Sequence, residues 1–436
     1  MEQRNYYRAA QQRLRDAGAA TAPDMKIGRR LVAQLLDGYA GPVAVGLWDG
    51  RYAHGANGAA ATLWFHSPQA LRELVLHSDL VRLSEAYLRG EVEPTGSIEA
   101  AFDLVDYLNA RVFTLTERMR LGALAMRLPA AKTRAELQRD GAGDKARANS
   151  TESIAYHYDV SNEFYQCWLD PAMVYSCAYF RDAGQSLAEA QRDKLDHICR
   201  KLRLAPGQRL LDIGCGWGAL ADWAARHYGV EVHGITLSAE QYRYAQQRMR
   251  NTGLDQQVHI ELRDYRDLPA DAGYDRISSV GMFEHIGVKN FPLYFQTVKR
   301  LMKPGGLFLN HGITNDSGWG TTPVRTFINR YVFPDGELTR VSEVQKSMET
   351  EGLEILDVES LRPHYAMTLR HWLRGLETAR GRVERLTNAT VYRVWRLYLA
   401  GSAHYFQRGG LNVYQILAGH LGAVQPVPLR RDDLYR

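Results

Sequence analysis

The chain has 436 residues, of which 45% are hydrophobic and 24% are charged, with a formal net charge of +5. This composition supports a full hydrophobic core in two or three domains and excludes extensive disorder. No stretch approaches the roughly 20 apolar residues of a membrane-crossing helix, and the polar first residues do not resemble a secretory signal. The four cysteines form no CxxC pair and the fourteen histidines show no metal-ligand spacing. We therefore expect a cytoplasmic protein with reduced thiols and no metal site.

Residues 1 to 130 are predicted to form a separate N-terminal domain. Strands are expected at 42–48 and 61–65, and helices at 68–84 and 97–108, with Ser67 and Ser97 placed to cap the helices. Segment 111–127 combines apolar residues with four arginines. It suits either a helix lying in a membrane interface or an ordinary helix that faces the core. Residues 131–150 lack an apolar period and are predicted to be a linker, so the catalytic domain is expected over 151–436.

From residue 209 the pattern alternates between strand and helix. Strands are predicted at 209–214, 230–236, 258–262, 275–281 and 307–313, and helices at 219–227, 239–250 and about 294–302. This order predicts an α/β fold with a doubly wound, mostly parallel sheet and helices on both faces. Ligands of such sheets bind at the carboxyl ends of the strands, so the residues just after each strand are the candidates for a site.

The strongest single motif is L-D-I-G-C-G-W-G at 211–218, where a strand ends and a helix begins. Glycines let the backbone turn sharply and approach a ligand closely. The G-x-G-x-G spacing departs from the G-x-G-x-x-G of dinucleotide sites, and the second strand ends in G-I-T-L-S without the expected acid. This combination favours S-adenosylmethionine over a nicotinamide or flavin. The cofactor residues predicted in this motif are Asp212, Gly214, Cys215, Gly216 and Gly218.

Further cofactor candidates follow the second and third strands. Thr236 and Gln241 offer neutral polar groups, with Leu237 between them, where many methyltransferases carry an acid for the ribose. Asp264 could accept a hydrogen bond from the adenine amino group, and Tyr265 could cover the ring.

The basic residues are concentrated at the C-terminal end. Residues 361–436 hold twelve arginines, no lysine and four acidic residues. The segment is also rich in aromatic residues, among them Tyr365, Trp372, Tyr392, Trp395, Tyr398, Tyr405, Phe406 and Tyr414. Basic and aromatic residues together suit an anionic surface, either phospholipid or nucleic acid, although a solvated face over a buried aromatic core is an equal alternative.

Several other runs accompany these motifs in order along the chain. They are H-Y-D-V at 157–160, W-L-D-P at 168–171, Y-S-C-A-Y-F at 175–180, G-M-F-E-H-I-G at 281–287 and N-R-Y-V-F-P-D-G at 329–336. Together with D-I-G-C-G-W-G and G-I-T-L-S, they closely resemble the cyclopropane-fatty-acyl-phospholipid synthases, to which the mycolic acid cyclopropane synthases are related. The resemblance runs from about residue 150 to the C-terminus, and the N-terminal domain is similar to that of members acting on bacterial phospholipids.

The resemblance implies a reaction and a set of site residues. Tyr175 and Ser176 join the cofactor contacts named above. A bicarbonate ion is implied beside the cofactor methyl, held by Cys177, Glu284, His311, Ile313 and Tyr365. The implied reaction adds the methyl of S-adenosylmethionine to a cis double bond, and bicarbonate then deprotonates the carbocation so that a cyclopropane ring closes. Ser402 stands where some members carry a cysteine, so a thiol there is not required and Ser402 is left out of the site.

The resemblance also implies partners and a location. The substrate is an unsaturated acyl chain of a phospholipid, so peripheral association with the inner face of an anionic membrane is expected, as is a homodimer. The N-terminal domain and the basic C-terminal segment are candidates for the membrane contact. The alternatives are a relative that forms a methylene or methyl branch on an oleoyl chain, a small-molecule methyltransferase and a non-catalytic lipid-binding protein. Nucleic acid is not expected, because an Asn/Asp-Pro-Pro-Tyr motif does not follow the fourth strand.

Overall fold

A computed structural model describes residues 22–77, 80–130, 160–315, 323–333 and 337–435. The predicted linker 131–150 and residues 157–159 of the H-Y-D-V run lie outside the described residues. Up to residue 130, the helices and strands in chain order are α1 Ala22–Leu35, β1 Val43–Gly46, β2 Tyr52–His54, β3 Ala61–Phe65, α2 Pro68–His77, α3 Leu80–Leu88, β4 Val92–Gly96, α4 Ala101–Ala110 and α5 Leu115–Ala125.

The elements after residue 159 alternate as predicted and then continue with helices. In chain order they are α6 Asn162–Tyr165, α7 Leu187–Lys201, β5 Arg209–Ile213, α8 Ala219–Tyr228, β6 Glu231–Thr236, α9 Ala239–Thr252, β7 Val258–Leu262, β8 Tyr274–Val280, α10 Phe291–Leu301, β9 Met302–Asn315, α11 Pro323–Tyr331, α12 Val341–Thr350, β10 Leu353–Ser360, α13 Arg362–Thr378, α14 Arg380–Leu386, α15 Ala389–Arg408 and β11 Leu411–His420.

The chain divides into two compact units. The first comprises the described parts of 1–158 together with 321–332 and 389–404, and the second comprises 159–320, 333–388 and 405–436. The first unit therefore includes α11 and most of α15, two segments that follow the parallel strands in sequence. Arg393 of α15 pairs with Glu93 of β4 at 2.6 Å, within this unit.

The first unit contains a four-stranded sheet in the order β2-β1-β3-β4, in which only β1 and β3 pair in parallel. Ser67 and Ser97 act as predicted, since their hydroxyl groups accept hydrogen bonds from the amides of Ala70 and Ala100. The helix predicted over 68–84 is divided between α2 and α3. Helix α5 begins with a capping box in which Thr114 and Glu117 each accept from the other's backbone amide.

The second unit contains a seven-stranded sheet in the order β10-β11-β9-β8-β5-β6-β7. The five predicted strands pair in parallel, and β11 is antiparallel to both β9 and β10. The mostly parallel sheet is thus confirmed. Helices α7, α8 and α9 contribute buried apolar residues to one core, while α10 and α12 contribute to another.

The aromatic residues of the C-terminal segment do not form the exposed surface that their composition suggested. Six of the eight named above are buried, and Tyr405 and Tyr414 are partly buried. Of the two alternatives given for this segment, the structure therefore shows the buried aromatic core. Within the described ranges, no helix has the length and apolar character needed to cross a membrane.

Candidate active site

The glycine turn after β5 has the backbone that its sequence requires. Gly214, Gly216 and Gly218 have φ angles of 79°, 56° and 80°, in the left-handed region that favours glycine. A Cβ atom on Gly214 or Gly218 would contact Met282 or Ala245 closely, whereas a Cβ on Gly216 would meet no heavy atom within 4 Å. The outer glycines therefore permit close packing, and Gly216 leaves open space where a ligand can approach the backbone.

Asp212 is buried at the end of β5 and accepts a hydrogen bond from the hydroxyl of Ser278 on β8, at 2.8 Å. Burial raises the pKa of Asp212 to about 6, against the Ser278 hydrogen bond and the positive charge of Lys194. Lys194 of α7 is itself buried and donates to the Ser176 hydroxyl at 3.0 Å. Lys194 thus holds one predicted cofactor residue and acts electrostatically on another, a role that the sequence did not indicate.

The turn after β6 presents the neutral polar groups that the sequence predicts. The Thr236 hydroxyl donates to Gln241 Oε1 at 2.9 Å, and Ser238 caps α9 by accepting from the Gln241 amide. Leu237, between them, is strongly exposed. The structure therefore brings Thr236 and Gln241 together, with their polar atoms beside an apolar side chain open to contact.

Asp264 and Tyr265 follow β7, and Asp264 is already paired. Its carboxylate accepts from the guanidinium of Arg266 at 2.6 Å, and this hydrogen bond lowers the pKa of Asp264. Tyr265 is buried and packs edge-on against Tyr294. An adenine amino group would thus share the Asp264 carboxylate with Arg266.

Glu284, His311 and Ile313 come together at the carboxyl ends of β8 and β9. Strand pairing places Val280 beside His311, and the Gly281 amide donates to the His311 carbonyl at 2.8 Å. The chain then turns so that Glu284 Oε1 accepts from the Ile313 amide at 2.7 Å. The Ile313 amide, a predicted anion contact, is therefore occupied by Glu284 in this structure.

Burial dominates the electrostatics of this cluster. Glu284 is 4% exposed and His311 is 2% exposed. Burial raises the pKa of Glu284 to about 7 and, with the positive charges of Lys194 and Lys201, lowers the pKa of His311 to about 3. At neutral pH the imidazole is therefore uncharged, and a large share of the Glu284 carboxyl groups is protonated.

Each of these two side chains has one buried polar atom that makes no hydrogen bond to a described residue. Glu284 Oε2 and His311 Nε2 have no hydrogen-bond partner among the described residues. Unpartnered buried polar atoms are costly, and they cluster where a protein binds a ligand. A protonated carboxyl and a neutral imidazole can both donate hydrogen bonds, so this donor set fits a small anion.

Gln415 of β11 lies opposite His311 in the sheet, and its Nε2 is 3.1 Å from His311 Nδ1. Gln415 is not among the site residues predicted from the sequence. A signal was present, since this amide side chain directly precedes the apolar run I-L-A in the same strand. Such a residue in a buried strand needs a polar partner.

Cys177 and Tyr365 are linked to this cluster through the backbone. The buried Cys177 thiol donates to the carbonyl oxygens of Ala178 at 3.3 Å and Leu361 at 3.8 Å. The Leu361 amide donates to the carbonyl of Val413, which pairs with Ile313 in the sheet. Tyr365 follows one helical turn after Leu361 and donates its amide to the Leu361 carbonyl. Burial raises the pKa of Cys177 far above that of a free thiol, so Cys177 is a thiol and not a thiolate.

A series of aromatic rings connects the glycine turn with Tyr365. Trp217 of the turn lies 5.1 Å from Tyr165, and Tyr165 lies 5.5 Å from Tyr175, between ring centroids. Tyr175 in turn lies 5.2 Å from Trp372, whose ring is 5.9 Å from Tyr365. The predicted cofactor residue Tyr175 therefore shares an apolar wall with the predicted anion residue Tyr365.

One group of side chains, on β6 and β7, has the residue types of a metal site. His233, His259 and Glu261 place their ligand atoms within 4.8 Å of one another. Arg263 Nε, however, lies 2.6 Å from a Glu261 oxygen. This cation competes directly for the carboxylate that a metal ion would need.

Comparison with known proteins adds to this geometry. The family model described as mycolic acid cyclopropane synthetase matches residues 145–416. A Pseudomonas putida protein named "Probable fatty acid methyltransferase" is 42% identical over 91% of this chain and 96% of its own length. The cyclopropane-fatty-acyl-phospholipid synthase of Escherichia coli (strain K12) is 42% identical over 60% of this chain and 66% of its own length.

A solved structure agrees with the sequence matches. Mycolic acid cyclopropane synthase CmaA1, complexed with SAH and CTAB, superposes with a TM-score of 0.57 at 35% identity, covering 62% of this chain and 97% of that chain. The parallel sheet, the glycine turn and these relatives lead to the same result. The chain belongs to the mycolic acid cyclopropane synthetase family and is an S-adenosylmethionine-dependent methyltransferase.

Proposed function

We propose that this enzyme transfers the methyl carbon of S-adenosylmethionine to the cis double bond of an unsaturated acyl chain in a membrane phospholipid and closes a cyclopropane ring. The observation that carries the proposal is the buried pair Glu284 and His311, with one unpartnered polar atom on each side chain. A methyltransferase that acts on a hydroxyl or an amine needs no base for a carbon-bound proton, because the proton that leaves is the acceptor's own O–H or N–H proton.

The cofactor supplies the methyl group as a sulfonium electrophile when bound. The open side of Gly216 and the buried Asp212 would hold it at the end of β5. Thr236 and Gln241 suit the ribose hydroxyls, because both carry neutral hydrogen-bonding groups. Tyr175, Ser176, Asp264 and Tyr265 complete the proposed set.

The acceptor sets the demands on the rest of the pocket. A carbon–carbon double bond is a weak nucleophile, so it must be held in line with the methyl group at contact distance. Formation of the new carbon–carbon bond breaks the carbon–sulfur bond and leaves a positive charge on the acyl chain. Tyr175, Trp372 and Tyr365 would exclude water from this charge and stabilise it through their ring faces.

Ring closure requires that the added carbon lose a proton. Bicarbonate supplies a base for this purpose when bound. Glu284 and His311 would hold the anion by donating hydrogen bonds from the protonated carboxyl and the neutral imidazole. Cys177 and Tyr365 would complete its surroundings, and Ile313 would act by orienting Glu284 through its amide.

A second candidate product is a methylene or methyl branch on the acyl chain. The Pseudomonas putida relative, which matches nearly the whole chain, is named as a fatty acid methyltransferase. Both reactions begin with the same methyl transfer and differ in the steps that follow. A methylene branch forms when a hydride shifts to the cationic carbon before the added carbon loses its proton, and an alkene that bears a methyl branch forms when a neighbouring chain carbon loses the proton instead. The proposed site residues therefore serve either outcome.

The test is incubation of the enzyme with S-adenosylmethionine and vesicles of a cis-monounsaturated phospholipid, followed by proton NMR of the extracted lipid. Upfield ring-methylene signals would support the cyclopropane product, and vinyl or branched-methyl signals would establish the second candidate. Mass alone does not separate a cyclopropane from a methylene branch. Glu284→Ala should abolish the signals, whereas Glu349→Ala, at an exposed acid of α12, serves as the matched control. Unchanged lipid in the presence of bound cofactor would refute both.

A further inference from the structure

Helix α5 has two apolar faces, and only one of them is buried. Leu121, Leu124 and Ala125 pack into the core of the first unit. Leu115, Met119 and Met126 are 73%, 60% and 65% exposed. Met126 caps the helix and keeps a helical backbone. Because each helical residue advances about 100°, these three lie within a stripe about 40° wide on the side roughly opposite the buried residues. Val112, just before the helix, is 87% exposed.

We call these four residues the α5 stripe: Val112, Leu115, Met119 and Met126. A surface helix of a globular protein normally places polar residues opposite its buried face. Single exposed apolar residues are ordinary, but an ordered row of them marks a surface that binds another apolar phase. The α5 stripe therefore has the form of a binding surface.

Positive charge borders the α5 stripe on both sides. Arg118 and Arg120 lie on its two sides, and Arg127 lies just beyond the C-terminal end of the helix; all three are exposed and make no ion pair with a described residue. Glu117 is the acid of this helix, and it is engaged by the capping box with Thr114 and lies near Arg111. No acidic group of the helix is thus available to balance the three arginines.

We propose that the α5 stripe is the surface by which this enzyme docks on the anionic face of a phospholipid bilayer. The apolar side chains would enter the boundary between headgroups and acyl chains, and the arginines would meet the lipid phosphates. This inference rests on the proposed function, because it presumes a substrate that lies in a membrane.

The charge pattern separates a bilayer from a second copy of the chain as the occupant. Two α5 stripes packed face to face would bring the arginines of both copies together, with no acid of the helix to pair with them. An anionic lipid surface satisfies both features at once, since it offers an apolar phase and negative charge in adjacent layers.

The test measures sedimentation of the full-length protein with saturated phosphatidylcholine vesicles, with and without phosphatidylglycerol, and without S-adenosylmethionine. L115S/M119S should lower the partition coefficient by about tenfold or more, through loss of apolar insertion. The matched control L421S/V424S removes two apolar side chains that are 69% and 93% exposed in the second unit, and it should bind like the parent protein. R118Q/R127Q should lower binding to anionic vesicles about 25-fold at low salt, with the difference shrinking as salt rises.

Three results would overturn the proposal. One is equal vesicle binding by L115S/M119S and its control. Another is a change of oligomeric state in L115S/M119S by analytical ultracentrifugation, which would assign the α5 stripe to a second copy. The third is a lower melting temperature of L115S/M119S than of the control, which would show that another part of the same chain covers the stripe. Since saturated lipid holds no double bond, this assay measures binding apart from the reaction. Stripe-dependent binding here, together with unchanged lipid in the NMR assay of the proposed function, would sustain the docking surface while the proposed reaction failed.

Discussion

Gln415 Nε2 lies 3.1 Å from His311 Nδ1, and both side chains are at most 2% exposed. A neutral imidazole carries its proton on one ring nitrogen and a lone pair on the other. If the amide N–H of Gln415 donates to Nδ1, the His311 proton resides on Nε2, the atom without a partner. His311 then presents an N–H group to an anion. The reversed amide, with the Gln415 oxygen accepting from Nδ1–H, would present a lone pair instead.

The first prediction concerns this tautomer. In the parent protein, ¹⁵N NMR of labelled histidine should show His311 protonated on Nε2, and Gln415→Met should produce a mixture of tautomers. The rate constant kcat should fall about tenfold in Gln415→Met, on the scale of one lost orienting hydrogen bond. Gln407→Met, at an exposed glutamine, is the control. A Nδ1-protonated His311 in the parent protein would contradict the argument.

The second prediction concerns Glu284 and the pH dependence of stability. Burial raises its pKa from 4.5 to about 7 in the folded state. Between these two pH values the folded chain retains a proton that the unfolded chain releases, so this residue makes the protein less stable as pH rises toward 7. Glu284→Gln removes this pH dependence of stability, because glutamine does not titrate. The variant should therefore gain stability relative to the parent, by about 3 kcal/mol at most, between pH 4.5 and pH 8.

Urea unfolding of both proteins at pH 5 and pH 8 measures this difference. Glu349→Gln, at an exposed acid, should show no comparable change with pH. His311 acts in the opposite direction, because burial lowers its pKa from 6.5 to about 3 and its contribution to stability is lost as pH falls through that range. A parent–variant difference that stays constant with pH would show that Glu284 is charged in the folded state.

The third prediction uses two glycines with matching backbones. Gly216 and Gly253 have φ angles of 56° and 67°, and an added Cβ would meet no heavy atom within 4 Å at either. Replacement by alanine should therefore lower the free energy of unfolding by about 1 kcal/mol at each position, because a Cβ atom disfavours the left-handed backbone. Only Gly216→Ala places a methyl group where the cofactor is proposed to bind. Calorimetric titration with S-adenosylhomocysteine should show at least a tenfold weaker affinity for Gly216→Ala and no change for Gly253→Ala; equal affinities would remove Gly216 from the cofactor site.

The sequence predicted the elements whose signal is local. Strands β3 and β7 match their predicted bounds, because β3 is a short, mostly apolar run and β7 alternates the buried Val258 and Ile260 with polar residues. Glu284 and His311 were predicted to follow successive strand ends, and the structure pairs Val280 of β8 with His311 of β9 and joins Glu284 to the Ile313 amide. The parallel order made this contact predictable without coordinates.

The missed features depend on contacts between residues far apart in sequence. Strand β10 alternates charged and apolar residues and is mostly half-buried, so its pattern resembles a surface segment until β11 pairs with it. Helix α15 belongs with the first unit through contacts such as His404 with Asp106, at 2.7 Å. The local sequence of α15 does not indicate that Asp106, almost 300 residues earlier in the chain, is its partner. The Gln415–His311 contact likewise needs the antiparallel register of β11 against β9.

The last prediction concerns Cys177, which the family resemblance placed at the anion site. Its thiol is buried and donates to two carbonyl oxygens, and burial raises its pKa. Because alkylating reagents attack the thiolate, Cys177 should resist iodoacetamide at pH 8. Cys167, which is partly exposed, should react faster. In a Cys167→Ser background, activity should survive treatment, with Cys177 found unmodified by mass spectrometry.

Substitution separates the hydrogen bond of Cys177 from its thiol chemistry. Cys177→Ser retains a donor for the Leu361 and Ala178 carbonyl groups and should keep most of the activity. Cys177→Ala removes the donor and should lower kcat more than Cys177→Ser does, with both variants binding S-adenosylhomocysteine normally. If alkylation of Cys177 proceeded readily in the folded enzyme, or if Cys177→Ser were inactive while Cys177→Ala were not, the thiol would have to act by a route other than this buried hydrogen bond.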